Sequence, residues 1–253
     1  MTSLRKVALV TGGARRIGRA IVEDLAEHGW AVAIHCNTSE KEAEALAAMI
    51  TEAGGAAVVV QADLADLAAI PGLIEDTARL GIASLLVNNA SIFEEDHVGS
   101  LTPAAFNRQM TINFSAPVFL TQAFAAALPE SEEGTVVNIA DQRAWRTAPT
   151  YFTYQMSKSA LAAATRVMAQ ALAPRIRVNA IAPGPTMKNV RQDPDKFRLQ
   201  TEAVPLRRGP ELAEFGRTVR YFVENRSITG QMIGLDGGQH LVWESPDMAD
   251  FDT

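Results

Sequence analysis

Three side chains that can exchange protons lie close together in the sequence: Asp141, Tyr154 and Lys158. Tyr154 and Lys158 are four residues apart, so on a helix they share one face. A phenol, with a pKa of about 10, releases its proton too slowly near neutral pH, and a nearby ammonium lowers that pKa. The spacing predicts a tyrosine proton donor whose pKa is lowered by a lysine. An ordinary surface pair of the same spacing is the alternative interpretation.

Asp141, thirteen residues before the tyrosine, limits the type of reaction. An ionised carboxylate beside a ketone would repel the alkoxide that develops during reduction. Reduction of a C=N bond differs because the ring nitrogen must gain a proton, which a carboxyl group can donate or stabilise. Asp141 therefore favours reduction of a nitrogen heterocycle, with the protonation state of the carboxyl left open. A carboxylate that only caps backbone N–H groups is the alternative.

The elements around these residues alternate between short apolar runs and longer helical patterns. Strands are predicted at 7–11, 31–35, 56–61, 84–88, 135–139, 177–182 and 232–235. Helices are predicted at 16–28, 39–53, 67–80, 103–128, 150–172 and 210–225. This alternation predicts an α/β fold, a single Rossmann-type, doubly wound parallel sheet of about seven strands with helices on both faces.

Length and composition favour one soluble domain. The 253 residues, 47% of them apolar, suffice for one large core, so residues 1–253 are predicted to form a single nucleotide-binding domain. Residues 185–205 are irregular and follow a strand end, which predicts a substrate lid, and residues 239–253 are expected to form a C-terminal tail.

Several classes of partner and site are excluded by composition. A net charge of −6 without a basic run opposes nucleic-acid binding. The single cysteine and four scattered histidines predict no disulfide framework and no metal. No signal peptide or apolar run of membrane-spanning length is visible, so we expect a cytoplasmic protein without membrane contact.

A glycine-rich turn follows the first strand and leads directly into a helix. Its glycines allow close backbone approach, and the helix start offers free N–H groups to a pyrophosphate. The predicted contacts here are Thr11, Gly12, Arg16, Ile17 and Gly18. Arg16 can reach both the cofactor phosphates and a polar substrate edge; a solvent-facing arginine is the alternative.

The cofactor is predicted to be NADPH, with NADH less favoured. Folds that select NAD place an acidic residue about 20 positions after the glycine turn, to bind the ribose 2′-hydroxyl. Here no carboxylate follows the end of the second strand until Glu40, so a 2′-phosphate would meet polar groups; the predicted contacts are His35, Asn37, Thr38 and Ser39. A polar loop without a ligand is the alternative. Asp63 and Leu64, beyond the third strand, are expected to contact the adenine, although Asp63 can equally be a helix cap.

The motifs in this order resemble the short-chain dehydrogenase/reductase family over essentially the whole chain. They are the turn at residues 11–18, Asn88-Asn89-Ala90, Asn113, Tyr154 with Lys158, and Pro183-Gly184. The resemblance implies a proton donor at Tyr154, a ribose-binding Lys158, and an Asn113 that supports a proton-relay water. It also implies a homotetramer, and cofactor contacts at Asn89, Ala90, Ser91, Pro183, Gly184 and Thr186.

Two departures from the general family pattern are shared with its pteridine reductase branch: Arg16 replaces a glycine and Asp141 replaces a serine. That branch is also similar in the segment from Asn88 to Phe93, where its phenylalanine stacks on the pterin. The branch's usual arginine after the second strand is missing, and Asn37 or Thr38 takes its place. The resemblance thus implies an NADPH-dependent pterin or dihydropteridine reductase, with dihydrofolate-like substrates included.

The substrate contacts expected from this interpretation are Arg16, Ser91, Phe93, Asp141 and Tyr154. Tyr151, three residues before Tyr154, is either a substrate contact or unrelated to catalysis. A carbonyl or acyl-carrier ketoreductase, with Gln142 or Ser91 polarising the carbonyl, is the main rival. A non-enzymatic nucleotide sensor is disfavoured because the chain keeps both the tyrosine and the lysine.

Overall fold

The computed structural model describes residues 6–187 and 193–242 and contains the predicted sheet. The strands are β1 Val7–Val10, β2 Ala31–Cys36, β3 Ala56–Gln61, β4 Ala83–Asn88, β5 Gly134–Ile139, β6 Ile176–Pro183 and β7 Met232–Leu235. They form one sheet in the order β3-β2-β1-β4-β5-β6-β7, and every neighbouring pair is parallel. The predicted fold class, a doubly wound parallel sheet of seven strands, is confirmed.

The helices are α1 Arg16–Glu27, α2 Glu40–Glu52, α3 Ile70–Thr77, α4 Pro103–Met110, α5 Ala116–Ala127, α6 Phe152–Leu172, α7 Pro194–Glu202 and α8 Leu212–Glu224. Short 3₁₀ turns at 67–69 and 78–80 flank α3. Further 3₁₀ turns lie at 142–144 and 239–241.

Alternation along the strands divides the core into two layers, one on each face of the sheet. On β1, Ala8 and Val10 pack with α1, α2 and α8, whereas Leu9 between them packs with α3, α5 and α6. Side chains of a strand point alternately to opposite faces, so an unbroken apolar run can bury both faces of a parallel sheet. The core therefore fixes the strand ends, where the site lies.

One predicted helix, 103–128, is interrupted. Residues Thr111–Ser115 form a π-helical turn between α4 and α5. Pro117 explains this interruption, because proline has no N–H for the carbonyl of Asn113 and its ring crowds that carbonyl. The turn widens the helix at Asn113, whose side chain bonds to Ile92 and to Ser157 of α6.

The predicted lid and tail are only partly described. Within 185–205 the structure shows helix α7, which the sequence pattern missed, and residues 188–192 lie outside the described part. Of the tail, residues 239–241 form the 3₁₀ turn, and 243–253 lie outside the described part. Among the described residues, no helix has the length and apolar character that crossing a membrane requires.

Candidate active site

The predicted site residues gather at the carboxyl ends of β1, β4, β5 and β6. The strand order reverses between β1 and β4, because β2 and β3 lie on one side of β1 and the later strands lie on the other. Ligands of open α/β sheets bind in the crevice at such a reversal. The fold thus brings the glycine turn and the catalytic segment to one edge.

The glycine turn is fastened to the loop after β4 by hydrogen bonds. The Thr11 hydroxyl accepts from the backbone N–H groups of Asn89 (2.9 Å) and Ala90 (3.0 Å). The Asn89 side chain donates in return to the carbonyls of Thr11 (2.8 Å) and Gly12 (3.1 Å). A Cβ on Gly18 would lie 2.2 Å from the Gly12 oxygen and 2.5 Å from Asn89 Nδ2, so only glycine fits there.

The start of helix α1 fits an anionic group. Its cap residue, Arg15, makes no side-chain hydrogen bond to the first turn, and that turn contains no acidic residue. The positive end of the helix dipole therefore faces this turn without a carboxylate of its own. Together with the close approach at Gly18, this matches the cradle that a dinucleotide pyrophosphate requires.

Arg16 adopts a left-handed backbone conformation, which glycine adopts more readily than other residues. Its φ is +54°, in the left-handed region that costs a non-glycine residue about 1–2 kcal/mol. The side chain is exposed, and its Nη2 donates to the carbonyl of Met187 at 3.0 Å. Arg16 thus connects the glycine turn with the beginning of the predicted lid.

His35 lies behind the glycine turn and supports it. The ring is buried, its Nδ1 accepts from the N–H of Gly12 (3.1 Å), and its Nε2 lies 3.1 Å from the carbonyl of Ala62. Burial lowers the pKa of His35 to about 4, so the ring is neutral at physiological pH. With both nitrogens engaged, its visible role is to position Gly12.

The region predicted to bind the 2′-phosphate and the adenine is open to solvent. Asn37 and Thr38 are exposed and Ser39 is half-buried. The Asp63 carboxylate accepts from the N–H of Ala65 (2.9 Å) within the loop, and Leu64 is buried. Asp63 is not the helix cap of the alternative interpretation, because Asp66 caps the following 3₁₀ turn. No carboxylate occurs between residues 36 and 39, so a phosphate would meet no like charge there.

The remaining predicted cofactor residues surround the same edge. Ile17 and Ala90 are half-buried and pack against the two core layers, while Ser91 is exposed. Pro183 ends β6 opposite Leu235, and the Thr186 hydroxyl donates to the carbonyl of Gly184 at 3.1 Å. A Cβ on Gly184 would lie 2.6 Å from the Asp236 Cα, which explains the glycine.

Asp141 and Tyr154 contact each other directly. The Tyr154 hydroxyl donates to Asp141 Oδ2 at 2.9 Å, and the tyrosine is buried, 7% exposed. The other oxygen, Oδ1, accepts from the N–H of Arg143 at 2.8 Å. Asp141 therefore both caps its loop and contacts the phenol, so the two interpretations of this residue hold together.

Burial changes the pKa of each member of the catalytic set. It raises the pKa of Asp141 above its usual value, although the Arg143 N–H and the charges of Arg143 and Lys158 oppose the rise. It lowers the pKa of Lys158 to about 8, against the attraction of Asp141. The Lys158 ammonium is buried and donates to the carbonyl of Ile139 at 2.7 Å.

The sequence predicts that Lys158 lowers the pKa of Tyr154, and in this structure the pKa of Tyr154 is raised instead. Burial and then the negative charge of Asp141 raise the pKa of Tyr154 well above 10. Lys158 Nζ lies 5.8 Å from the Tyr154 ring centroid and bonds to the main chain. The lysine is beside the ring, as its spacing predicts, but the nearer carboxyl dominates the phenol.

Asn113 uses its side chain to hold the loop after β4. Its Oδ1 accepts from the N–H of Ile92 (2.9 Å), and its Nδ2 donates to the carbonyl of Ile92 (3.0 Å) and to Ser157 Oγ (3.2 Å). These bonds join the π-helical turn to helix α6. The side chain thus positions the residue before Phe93, and its support of a relay water stays a prediction.

Phe93 forms an aromatic cluster with Tyr151 and Tyr154. The ring is 40% exposed, stacks on Tyr151 with centroids 4.2 Å apart and planes 7° apart, and meets Tyr154 edge-on at 4.6 Å. Tyr151 has a φ of +56° at the start of α6, a second left-handed non-glycine residue. One face of Phe93 is therefore already covered by a tyrosine, and Tyr151 belongs to the site.

Arg143 is a site residue that the sequence reasoning missed. Its guanidinium carbon lies 5.0 Å from the centroid of Tyr151 and 5.4 Å from that of Phe93. The available signal was its position two residues after Asp141, beyond the end of β5. Among the described residues, no group of histidine, cysteine or acidic side chains could hold a metal ion.

Comparisons with known proteins agree with this geometry. The family model described as short chain dehydrogenase matches residues 6–198. The crystal structure of FolM alternative dihydrofolate reductase 1 from Brucella canis, complexed with NADP, has a TM-score of 0.94 and 59% identity, covering 97% of this chain and 98% of that chain. The crystal structure of the Brucella suis protein of the same name, also in complex with NADP, has a TM-score of 0.94 and 59% identity. The match covers 98% of this chain and 100% of that chain.

A curated relative of different activity matches as well. The 3-oxoacyl-[acyl-carrier-protein] reductase FabG of Staphylococcus epidermidis is 29% identical over 245 residues, which cover 94% of this chain and all of that protein.

Proposed function

The chain belongs to the short-chain dehydrogenase family, and on that premise we propose that it is an NADPH-dependent reductase of a C=N bond in a pterin or dihydropteridine, dihydrofolate-like substrates included. The observation that carries the proposal is the 2.9 Å hydrogen bond from the buried Tyr154 hydroxyl to the half-buried Asp141 carboxyl. The Brucella structures, which are 59% identical and named alternative dihydrofolate reductases, support the same substrate class.

NADPH is supported as the cofactor by the fit of the residues present and by the NADP in the Brucella structures. The glycine turn and the start of α1 would hold the pyrophosphate, and Asn37, Thr38 and Ser39 would face the 2′-phosphate. Lys158 and Asn89 would hold the nicotinamide ribose side. When bound, the cofactor supplies a hydride to the carbon of the C=N bond.

The protein's contribution is to hold and transfer the proton that the ring nitrogen gains. Asp141 keeps its proton to a higher pH than an exposed carboxyl because it is buried, and it shares a hydrogen bond with the phenol of Tyr154. Either oxygen can then donate to a nitrogen placed beside them. The ammonium of Lys158 supplies a positive charge that balances the negative charge of the Asp141 carboxyl and the Tyr154 phenol when either is ionised.

Phe93 and Tyr151 are proposed to hold the flat ring. The exposed part of Phe93 offers an aromatic surface beside the catalytic tyrosine, and offset stacking would orient a bicyclic heterocycle there. Arg16 and Ser91 lie at the same edge and are proposed to contact the polar rim of the ring. Asn113 keeps this surface in place through Ile92.

The rival function is reduction of a carbonyl or 3-ketoacyl group, which the full-length match to the staphylococcal reductase favours. Asp141 opposes it whenever the carboxyl is ionised, because that negative charge would repel the developing alkoxide. The two are separated by following NADPH oxidation with dihydrobiopterin, dihydrofolate and an acetoacetyl thioester. We expect turnover of the dihydropteridines; turnover of the thioester alone would establish the rival and remove the pterin proposal.

A homotetramer is proposed for the assembly. Helices α5 and α6 expose Phe119, Met156 and Val167, apolar side chains that a second chain would cover. Light scattering on the purified protein should give four times the mass of one chain, and a monomer would contradict the proposal.

We also propose that the protein is located in the cytoplasm, which fractionation of the source cells tests. Residues 185–205 are proposed to form a substrate lid, which deletion of α7 tests.

A further inference from the structure

Arg143 is a half-buried cation at the rim of the candidate site, and its hydrogen bonding is incomplete. Its Nη1 atom is shielded from solvent and has no hydrogen-bond acceptor in the described part of the chain. The guanidinium instead rests against the rings of Tyr151 and Phe93, at 5.0 and 5.4 Å from their centroids. Contact with aromatic faces offsets part of the desolvation of a cation, but it leaves the N–H donors unused.

The neighbouring carboxylates do not supply the missing acceptor. Glu94 lies 3.5 Å from Arg108, and Asp96 accepts from the N–H of Thr153 (3.0 Å) and from Gln109 Nε2 (3.3 Å). Asp141 interacts with the charge of Arg143, but its Oδ1 already accepts from the backbone N–H of Arg143 and its Oδ2 accepts from the Tyr154 hydroxyl. Because the Arg143 side chain is only half-buried, an acceptor from outside the chain can approach its planar guanidinium, which these carboxylates leave unpaired.

We propose that Arg143 binds a carboxylate on the substrate's tail and so determines specificity, favouring a folate-type dihydropteridine over one with an uncharged tail. The inference rests on the proposed function, which places the heterocycle beside Phe93. A folate carries a flat aminobenzoyl group followed by carboxylates. The aromatic pair of Phe93 and Tyr151 suits the flat group, and the guanidinium that rests on this pair suits a carboxylate, which it can bind through two parallel hydrogen bonds.

A different role for Arg143 makes different predictions. Its charge lowers the pKa of both Asp141 and Tyr154, so it could act only through these groups. Loss of the guanidinium would then change the reduction of every dihydropteridine by the same factor and would shift the pH profile. Tail recognition instead changes one substrate relative to another.

The test compares dihydrofolate with dihydrobiopterin, whose tail is uncharged, on the purified protein with NADPH. For Arg143→Gln we expect the ratio of kcat/KM for dihydrofolate to that for dihydrobiopterin to fall about tenfold, through KM, the size of one lost charge-assisted contact. Arg143→Lys should recover part of the ratio, because it keeps the charge without the planar fork. The matched control Arg146→Gln removes the same charge from an exposed position three residues later and should leave the ratio unchanged.

Two results would overturn the inference: an unchanged ratio in Arg143→Gln, or an equal loss in Arg146→Gln. If Arg143→Gln does not fold, the salt dependence of KM in the unmodified protein tests the inference. Added KCl should raise KM for dihydrofolate more than for dihydrobiopterin, and equal effects would count against tail recognition. Affinities of both compounds for the NADP⁺ complex are measured separately. If neither is reduced, the proposed function fails, while the affinity ratio in the variants still decides the role of Arg143.

Discussion

The glycine turn after β1 and the catalytic loop after β5 are built in opposite ways. Both lie at the carboxyl edge of the sheet, lead into a helix and contain a left-handed non-glycine residue, Arg16 in one and Tyr151 in the other. In the glycine turn the polar groups of Thr11, His35 and Asn89 are matched by hydrogen bonds. This region is a rigid frame.

The catalytic loop keeps polar groups unmatched. Gln142 Oε1 and Arg143 Nη1 are buried there, and Thr153 Oγ1 in the first turn of α6 beside it, without a hydrogen-bond partner in the described chain. Burial also shifts the pKa values of Asp141, Tyr154 and Lys158 beside this loop. In the glycine turn burial shifts the pKa of His35, but both nitrogens of that ring are engaged by hydrogen bonds. Unmatched groups and shifted pKa values cost stability and concentrate where chemistry occurs. The difference indicates that the turn fixes a ligand, whereas the loop holds groups ready to react.

The largest effect should come from removing the phenol. Tyr154→Phe is expected to lower kcat about a thousandfold, because general acid catalysis contributes about 10²–10⁴. NADPH affinity should change little. The matched control is Tyr221→Phe, an exposed tyrosine on α8. Steady-state kinetics and cofactor titration measure both, and turnover that survives in Tyr154→Phe would exclude this residue as the donor.

Replacing Asp141 tests whether the loop is specialised for C=N bonds. Asp141→Ser should lower dihydropteridine reduction about a hundredfold, because the buried proton source is lost. Any ketone activity should fall less, since a neutral hydroxyl suits an alkoxide. Rates with both substrate classes measure this directly, and equal losses would remove the reason for preferring heterocycle chemistry.

In the glycine turn after β1, the substitution Thr11→Val should mainly lower the stability of the fold. It removes the acceptor of two backbone N–H groups, which should lower the free energy of unfolding by about 2 kcal/mol. Urea denaturation measures the change. The control is Thr51→Val, whose hydroxyl donates only within helix α2, to Ala47. Equal destabilisation by the two substitutions would contradict the description of the turn as a frame.

The pH profile should report Lys158. Its pKa of about 8 means that the ammonium is present below pH 8 and is lost as the pH rises through that value, so kcat/KM should fall about tenfold per unit above it. In Lys158→Arg the side chain stays charged over this range, so the fall of kcat/KM above pH 8 should disappear. From pH 8 to 10.5 the unfolded chain binds the extra proton, so this lysine makes unfolding less favourable as pH rises.

The smallest effect is expected at Arg16. Arg16→Gly should raise the free energy of unfolding by about 1 kcal/mol, because glycine adopts a positive φ without the Cβ penalty. KM for NADPH should rise as the guanidinium is lost. Arg16→Ala removes the guanidinium but keeps the Cβ, so it should raise KM without the gain in stability. A gain in both variants would show that the backbone is not strained.

Much of the fold was predictable because apolar runs and glycine turns are local signals. All seven strands form close to their predicted bounds, whereas the π-helical turn at 111–115 and helix α7 were not predicted. The first depends on how Pro117 is accommodated inside a helix. The second has no apolar periodicity of its own, since none of its residues is buried. Both depend on surroundings that a local pattern does not contain.

The sequence by itself determined the residue types and the spacing: a phenol four residues before an ammonium, a carboxyl where the family has a serine, and a glycine-rich turn between a strand and a helix. The tertiary structure decided which charge dominates the phenol. It brought Asp141 within 2.9 Å of Tyr154 and turned Lys158 to the main chain, so the tyrosine pKa rises instead of falling. It also placed Arg143 against two aromatic rings. The physical reason is that electrostatic effects depend on distance and burial, which spacing along the chain does not specify.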